Sequence, residues 1–502
     1  MINLLFIPIA LLYLLVVGSL FVFGVNFFYL TYITLRERHQ QKALPPLSLL
    51  PRVTVQLPIY NELYVAERLI NAAAGLDYPK ELLQIQVLDD SKDETVEIIQ
   101  NLLEKFRLQG IDIVHMHRTD RQGFKAGALA IGLSCATGEF LAIFDADFIP
   151  PVDFLRRTLP YFQDPKIGFV QSRWGHVNQN YSFLTRLQSL AIDAHFMVEQ
   201  FARSQGGYWF NFNGTAGIWR RKAIEDAGGW TADTLTEDLD LSYRAFLRGW
   251  RAVYLRDVEV PAELPVSFSA YRRQQHRWAR GSLECAVKYI PKIWHTPLPL
   301  SLKVEATLHL LGYSVHILMF GLAVLYPLVL ILSQRYANLV SLFGIGIFFN
   351  ATALAPTIYF LVAQQQLHKR WWQMVPAIFF MTALGAGMML NTMRAILQII
   401  QNNKGVFERT PKFGIVNRKE NWTRRRYQLR MDPIVFFEIV FALVNAITCL
   451  LAVHLQNWAI AFFAFLFSIG LLFTSSLTIA QTIAVARENT KINKDRFAKH
   501  GS

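Results

Sequence analysis

Cysteine is scarce: three in 502 residues, Cys135, Cys285 and Cys449, far apart and without metal-ligand spacing. That excludes a disulfide-stapled secreted domain and a cysteine-built zinc site. Charge is thin as well. Charged residues make up 17% of the chain and hydrophobic residues 53%, where a soluble globular protein carries about 25% charged residues. A disordered chain and an ordinary cytosolic enzyme are both excluded. There is no Gly-rich dinucleotide fingerprint and no GxxxxGK[ST] loop, so the phosphates of any nucleotide need another holder. No internal repeat or low-complexity tract occurs. The length itself suggests about three folding units.

What the chain has in quantity is apolar runs and basic residues, with 50 Lys and Arg against 37 Asp and Glu for a net charge of +13. The excess lies largely beside the apolar runs, as expected of cytoplasmic loops against anionic lipid, and no nucleic-acid role is expected from it. Residues 2–34 contain no charge, nothing basic precedes them, and Arg36, Arg38 and Lys42 follow. This predicts an uncleaved transmembrane helix over 1–34 with the N-terminus outside, then a linker over 35–50. Further apolar runs occupy roughly 305–333, 339–363, 374–400, 433–455 and 458–485. The basic loop 401–432, the pair Lys369 and Arg370, and the tail after Arg487 are all expected in the cytosol. Both ends of 374–400 then fall on one side, and the segment contains Pro376, Gly385, Gly387, Asn391 and Arg394. It reads as a re-entrant or interfacial helix closing a unit over 292–400. The expectation is one span before the soluble domain and four after it, with a C-terminal hairpin over 433–486 and a cytosolic tail over 487–502.

Between residues 51 and 291 charges appear regularly and the hydrophobic period alternates. Strands are predicted at 53–59, 83–88, 113–117 and 140–144, and helices at 62–74, 94–107 and 125–136. Strand–helix alternation predicts an α/β, Rossmann-like parallel sheet with helices on both faces. Each strand ends in polar residues: Tyr60 and Asn61, Asp89 and Asp90, Arg118 and Arg121, Asp145 and Asp147. Ligands bind at the carboxyl ends of such strands, so four strands with this feature point to one site.

Asp145 and Asp147, two residues apart after a buried strand, suit a divalent cation completed by substrate phosphate oxygens. Such a pair by itself is more often a turn or a helix cap. Thr236-Glu237-Asp238 supplies a carboxylate for general-base work on a hydroxyl, or simply a helix start with acids in its first turn. In Gln274-Gln275-His276-Arg277-Trp278, Arg277 offers a bidentate fork for phosphate and Trp278 a flat face for a sugar or a base. The histidines His115, His117, His195 and His276 read as structural or surface residues.

Taken together and in order, Pro58-Ile-Tyr60-Asn61-Glu62, Asp89-Asp90-Ser91, Lys125-Ala-Gly127-Ala-Leu129, Asp145-Ala-Asp147, Thr236-Glu237-Asp238 and Gln274-x-x-Arg277-Trp278 resemble the inverting family 2 glycosyltransferases. Asn211-Phe-Asn213-Gly214-Thr215-Ala-Gly217-Ile-Trp219 and Gly228-Gly229-Trp230 bring the resemblance closest to cellulose-synthase-like proteins of the glucomannan and mannan synthase type. The resemblance covers nearly the whole chain. It implies a GT-A glycosyltransferase domain over 51–291, a nucleotide-sugar donor and Mg²⁺ or Mn²⁺. Residue by residue, it implies that Tyr60 and Glu62 lie against the nucleotide and that Asp90 binds the base. Lys125, Gln274 and Arg277 would approach the diphosphate, Asp145 the nucleotide, and Asp147, with Asp145, the metal. Asp238 would be the general base, with Glu237 and Thr236 beside it. Trp278 would be the acceptor platform, and Asn213, Gly214 and Thr215 the loop facing the acceptor. Phe407-Glu-Arg-Thr410-Pro-Lys412 resembles the Phe-x-Val-Thr-x-Lys gating loop of cellulose synthases, with Arg409 in place of Val and Pro411 after the Thr. A basic juxtamembrane loop that binds lipid headgroups is the alternative there.

The function expected is transfer of a hexose from UDP-glucose or GDP-mannose to the end of a growing β-linked glycan, coupled to its passage through the bilayer. The alternative is a single transfer to a lipid: ceramide, diacylglycerol or polyprenyl phosphate. A transporter or scaffold fits neither the acidic set nor the Gln-x-x-Arg-Trp block. The donor sugar stays open at this level.

Overall fold

The computed structural model describes residues 3–37, 44–45, 47–335, 350–368, 370–403 and 408–500. Its centre is a seven-stranded sheet in the order β3-β2-β1-β4-β6-β5-β7. The strands are β1 (Val53–Ile59), β2 (Leu83–Asp89), β3 (Asp112–His117), β4 (Phe140–Ile143), β5 (Ile167–His176), β6 (Gly217–Arg220) and β7 (Arg251–Ala262). The first four run parallel. β6 is antiparallel to both β4 and β5, and β5 is parallel to β7. The sheet is therefore mixed, where the alternation of period predicted a parallel one for its first half.

β1 and β2 are buried along almost their whole length, as strands covered on both faces must be. Helices Ala66–Ala74 and Thr95–Leu108 share one apolar cluster with them, whereas Phe124–Cys135 and Glu237–Leu247 share a second with Leu141, Ile143 and Trp219. Thr54, Gln56, Gln84 and Gln86 lie buried in the central strands. They pair across the ladder, Gln56 donating to Gln86 at 3.0 Å and Thr54 to Gln84 at 2.9 Å, while Gln56 Oε1 has no hydrogen-bond partner among the described residues. The helix expected from residue 62 begins at Ala66. Asn61 takes a left-handed φ of 53°, which turns the chain sharply and leaves Glu62 at the strand end instead of on the helix.

The helix Phe268–His295 carries the Gln274–Trp278 block and continues through Pro291. A domain boundary at 291 thus falls inside a helix. Beyond it the chain is helical. Five stretches among the described residues are long and apolar enough to cross a membrane: Ile7–Arg36, Ser314–Arg335, Trp371–Ile400, Ile434–His454 and Trp458–Lys491. Trp371–Ile400, expected as a re-entrant or interfacial helix, is among them. The expected span over 339–363 is not decided, because its residues 339–349 lie outside the described residues. Within 371–400 the helix breaks at Met388 into Val375–Gly387 and Met389–Ile400. The second piece is amphipathic and packs against the Phe268–His295 helix, where Asn391 donates to the Arg272 carbonyl at 3.1 Å.

Candidate active site

The strand ends of β1, β2 and β4 open into one cleft, closed on the far side by the Glu237–Leu247 and Phe268–His295 helices. Of the residues expected from the sequence, Tyr60, Glu62, Asp90, Lys125, Asp145, Asp147, Asn213, Gly214, Thr236, Glu237, Asp238, Gln274, Arg277, Trp278, Thr410 and Lys412 all line it. Thr215 sits just behind, its Oγ1 accepting from the Asp145 amide at 2.9 Å and tying the Asn213–Thr215 loop to the end of β4. Phe407 lies outside the described residues.

Asp90 is gripped by Arg118, whose Nε and Nη2 donate to its two oxygens at 2.7 and 2.6 Å. Arg121, with a left-handed φ of 51°, lays its guanidinium 3.4 Å from the centre of the Tyr60 ring. Left-handed non-glycine residues cost free energy and gather where function needs them; Asn61 and Arg121 both edge this cleft. Lys125 pairs with Asp145 at 2.6 Å, reaches the Gly214 carbonyl at 2.8 Å and lies 3.8 Å from Glu237.

The Thr-Glu-Asp segment starts a helix, as its plainest reading predicts, yet the Thr236 side chain makes no capping hydrogen bond. Three acids follow. Asp240 is fully buried and saturated by Lys288 at 2.7 Å, Tyr289 at 2.7 Å and Arg244 at 2.7 Å. Those partners hold its carboxyl below the usual carboxylate range despite burial. The Asp238 carboxylate accepts from the Leu239 amide at 2.8 Å and has no side-chain cation partner among the described residues. Burial, reinforced by the negative charge of Glu237, pushes its carboxyl up to about 7, against the opposing pull of Lys125. A proton acceptor with that value is matched to work near neutral pH. Gly214, at φ +77°, stands beside it: a Cβ there would lie 2.9 Å from Asp238 Oδ2.

A second acidic group faces it across the cleft. Glu62, Asp147 and Glu263 are buried near one another; burial raises the carboxyl pKa of both glutamates, with a smaller push from the charge of Asp147. Glu263 Oε2 makes no hydrogen bond and has an ion pair with Arg68 at 3.8 Å. Among the described residues no three acidic, histidine or cysteine groups stand close enough to hold an ion alone. Asp145 and Asp147, both lining the cleft, are the donor type and number that a hard divalent ion takes when diphosphate oxygens complete its shell.

The segment 408–413 enters the cleft from the helical region. Arg409 grips Glu62 with two bonds of 2.9 Å, and Lys412 donates to Asp147 Oδ2 at 2.7 Å and to the Glu263 carbonyl at 2.6 Å. Trp174, His176, Glu263 and Arg409 also line the cleft and were not anticipated as site residues. The first three follow the same strand-end rule, applied to β5 and β7. Opposite the Ser172–Arg173 step of β5, β7 bulges by three residues between Leu255 and Glu259.

Residues 51–281 match the family model described as Glycosyltransferase like family 2. Over 236 residues the chain is 48% identical to a probable glucomannan 4-beta-mannosyltransferase 7 of Oryza sativa subsp. japonica, an alignment covering 46% of this chain and 40% of that protein's length. Among solved structures, the mannosyltransferase PcManGT from Pyrobaculum calidifontis, in complex with GDP-Man and Mn²⁺, is similar with a TM-score of 0.50 at 20% identity, covering 79% of this chain and 100% of that one. At that identity the likeness is one of fold. Residues 51–281 thus resemble a family 2 glycosyltransferase and share the fold of that mannosyltransferase, and they are joined to a helical region with several apolar helices long enough to span a membrane.

Proposed function

We propose that the chain transfers a hexose, with inversion, from a nucleotide sugar to the non-reducing end of a growing β-linked glycan in a bilayer, in a metal-dependent reaction. A mannosyl donor is favoured by the rice relative's name, GDP-mannose being the donor in the similar Pyrobaculum complex, with UDP-glucose the competitor. The observation that carries the reading is Asp238: a half-buried carboxylate with no ion-pair partner among the described residues, facing a cleft that also holds Asp145, Asp147, Lys125 and Arg277.

The acceptor hydroxyl oxygen attacks the anomeric carbon while Asp238 takes its proton. The bond from that carbon to the diphosphate breaks on the opposite face, and its electron pair leaves with the nucleotide diphosphate. An α-linked donor thus gives a β-linkage. Lys125 and Arg277 offset the charge on the departing diphosphate. A bound divalent ion on Asp147 and Asp145 would supply Lewis-acid stabilisation of the same charge. Asp90, fixed by Arg118, accepts from the base; Tyr60 and Glu62 lie against the nucleotide; Gln274 helps hold the diphosphate. Trp278, 6.4 Å ring to ring from Trp174, is the acceptor platform, and Asn213 and Gly214 face the acceptor end, while the buried Thr215 holds their loop from behind instead of facing the acceptor. No covalent intermediate is required, so orientation and fixed charges carry the barrier reduction.

The test uses purified protein in lipid vesicles with Mn²⁺ and labelled GDP-mannose or UDP-glucose, separately and together. The expected result is ethanol-insoluble label released by a β-mannanase or a β-glucanase, abolished by EDTA and restored by Mn²⁺. Label that partitions as a single-sugar lipid would replace the polymer reading with the glycolipid one. No transfer from either donor would overturn the reading.

A further inference from the structure

Resting on the acceptor-facing role given above to Asn213, we propose that His195 is a positioning residue for transfer. As the neutral imidazole with its hydrogen on Nδ1, it accepts from Asn213 and fixes that amide so that its second N–H is offered to a hydroxyl oxygen of the acceptor sugar. Glu199 and Gln200 hold the pair in place.

The segment His195–Gln200 is one π-helical turn between the helices Phe183–Ala194 and Phe201–Gln205. Such turns are rare and gather at functional sites. An α-helix brings residue i+4 back over residue i and leaves i+5 to one side; the wider i→i+5 turn presents both. His195, Glu199 and Gln200 stand in that relation. His195 Nδ1 lies 3.0 Å from Glu199 Oε2 and its Nε2 3.1 Å from Asn213 Nδ2, while Gln200 Nε2 lies 2.6 Å from Asn213 Oδ1. Asn213 lines the cleft, and Gln200 is buried beneath it.

The direction of every bond follows from one fixed end. A backbone carbonyl only accepts, and Gln200 meets the Asn211 carbonyl at 3.0 Å. The Gln200 atom there is therefore nitrogen, even though Gln200 Oε1 is left buried without a partner among the described residues. The same nitrogen gives its second hydrogen to Asn213, so the Asn213 atom facing it is oxygen. The other end of the Asn213 amide is then nitrogen and donates to His195, whose Nε2 must present a lone pair. The imidazole hydrogen sits on Nδ1 and goes to Glu199. Glu199 is fitted to receive it: against burial, His195 and Arg203 hold its carboxyl well below the usual carboxylate range. The buried Arg203 donates to it at 3.3 Å and to Glu305 at 3.0 Å. An imidazolium would set N–H against N–H at Asn213. The second N–H of Asn213 is not used in this chain of bonds, and it belongs to a residue of the cleft wall.

The test compares two variants of the full chain in lipid vesicles with Mn²⁺ and each labelled donor. His195→Lys keeps a cation beside Glu199 but brings only N–H donors to Asn213. His195→Gln gives up that cation but offers an amide oxygen in the place of Nε2. Transfer should fall about 10²-fold in His195→Lys, the cost of a misplaced reactant, with donor KM and the calorimetric affinity for GDP or UDP unchanged. His195→Gln should stay within about tenfold of wild type, the worth of one hydrogen bond. A role confined to pairing with Glu199 predicts the reverse order, and either that order or equal rates in the two variants overturns the proposal. No transfer by wild type from either donor is instead a failure of the functional reading. The chain of bonds then has a readout of its own. In ¹⁵N-histidine-labelled protein in detergent near neutral pH, the resonances lost in His195→Gln should show Nδ1 protonated and Nε2 bare. An imidazolium or the opposite tautomer there overturns the proposal whatever the activity.

Discussion

Asp238 and Asp240 lie two residues apart at one helix start, and their surroundings separate them. Asp240 spends its charge on Lys288, Arg244 and Tyr289; Asp238 keeps its own, at the cost of a raised pKa. Asp238→Asn should lower the transfer rate about 10²–10⁴-fold. Calorimetric titration should find GDP or UDP binding unchanged; loss of nucleotide binding together with rate would reassign the residue. The same carboxyl sets a pH dependence. A base works only when deprotonated, and burial with Glu237 raises this one to about 7. In consequence kcat/KM should climb through pH 7 and fall below it. A profile flat down to pH 5 would count against Asp238 as the base.

At the scale of elements, a close helix crossing lies directly beside the break at Met388. Helix Val375–Gly387 crosses helix Trp458–His500 at a pair of glycines, Gly387 and Gly470. A Cβ on Gly470 would collide with the Ala383 carbonyl and lie 2.9 Å from the Gly387 nitrogen. Small residues let helices approach this closely. Gly470→Val should therefore destabilise the protein by about 1–3 kcal/mol or more through overpacking, read as a lower unfolding temperature in detergent. Gly385 is the control: nothing lies within 4 Å of a Cβ there. Gly385→Ala should be neutral or stabilising by up to about 1 kcal/mol, since alanine favours helix. Equal losses from both substitutions would refute the crossing as the cause.

For the whole molecule, the question is what joins the catalytic domain to the helical region. Arg272 lies five residues before Arg277 on the same helix. Its side chain is 1% exposed, and it pairs at 2.9 Å with Glu438, whose side chain is 0% exposed, on the Ile434–His454 helix. Thr478 on a third helix accepts from the same guanidinium at 3.2 Å. Breaking a buried pair strands a charge, at about 3–5 kcal/mol, whereas replacing both partners with apolar groups is often neutral or better. Glu438→Met should thus lower the unfolding temperature markedly, and Arg272→Met with Glu438→Met should recover most of the loss. Failure of the double variant to recover would mean that the pair is not the joint. A second joint, Arg203 with Glu305 at 3.0 Å, also receives Asn26 from the first apolar helix at 2.7 Å.

Much of this protein is local information. The period of two against 3.6 placed β1 within its observed bounds and the next three strands within a residue at each end, because alternating burial repeats inside a single element. The polar residues at strand ends announced one cleft for the same reason, and the ordered motif set named its residues. Other decisions need distances between residues far apart in the chain. Spacing could not tell Asp238 from Asp240, since the partners that silence Asp240 come from Lys288 and Tyr289. Nor could it place Lys412 against Asp147, 265 residues earlier, or find Glu263 and Trp174 at the ends of strands whose reading was not carried into the second half. The glycine crossing beside Met388 belongs to the same class, because a glycine shows its purpose only when another backbone lies against it. Hydrophobic period is fixed by a residue's neighbours in sequence; charge pairing and close packing are fixed by its neighbours in space.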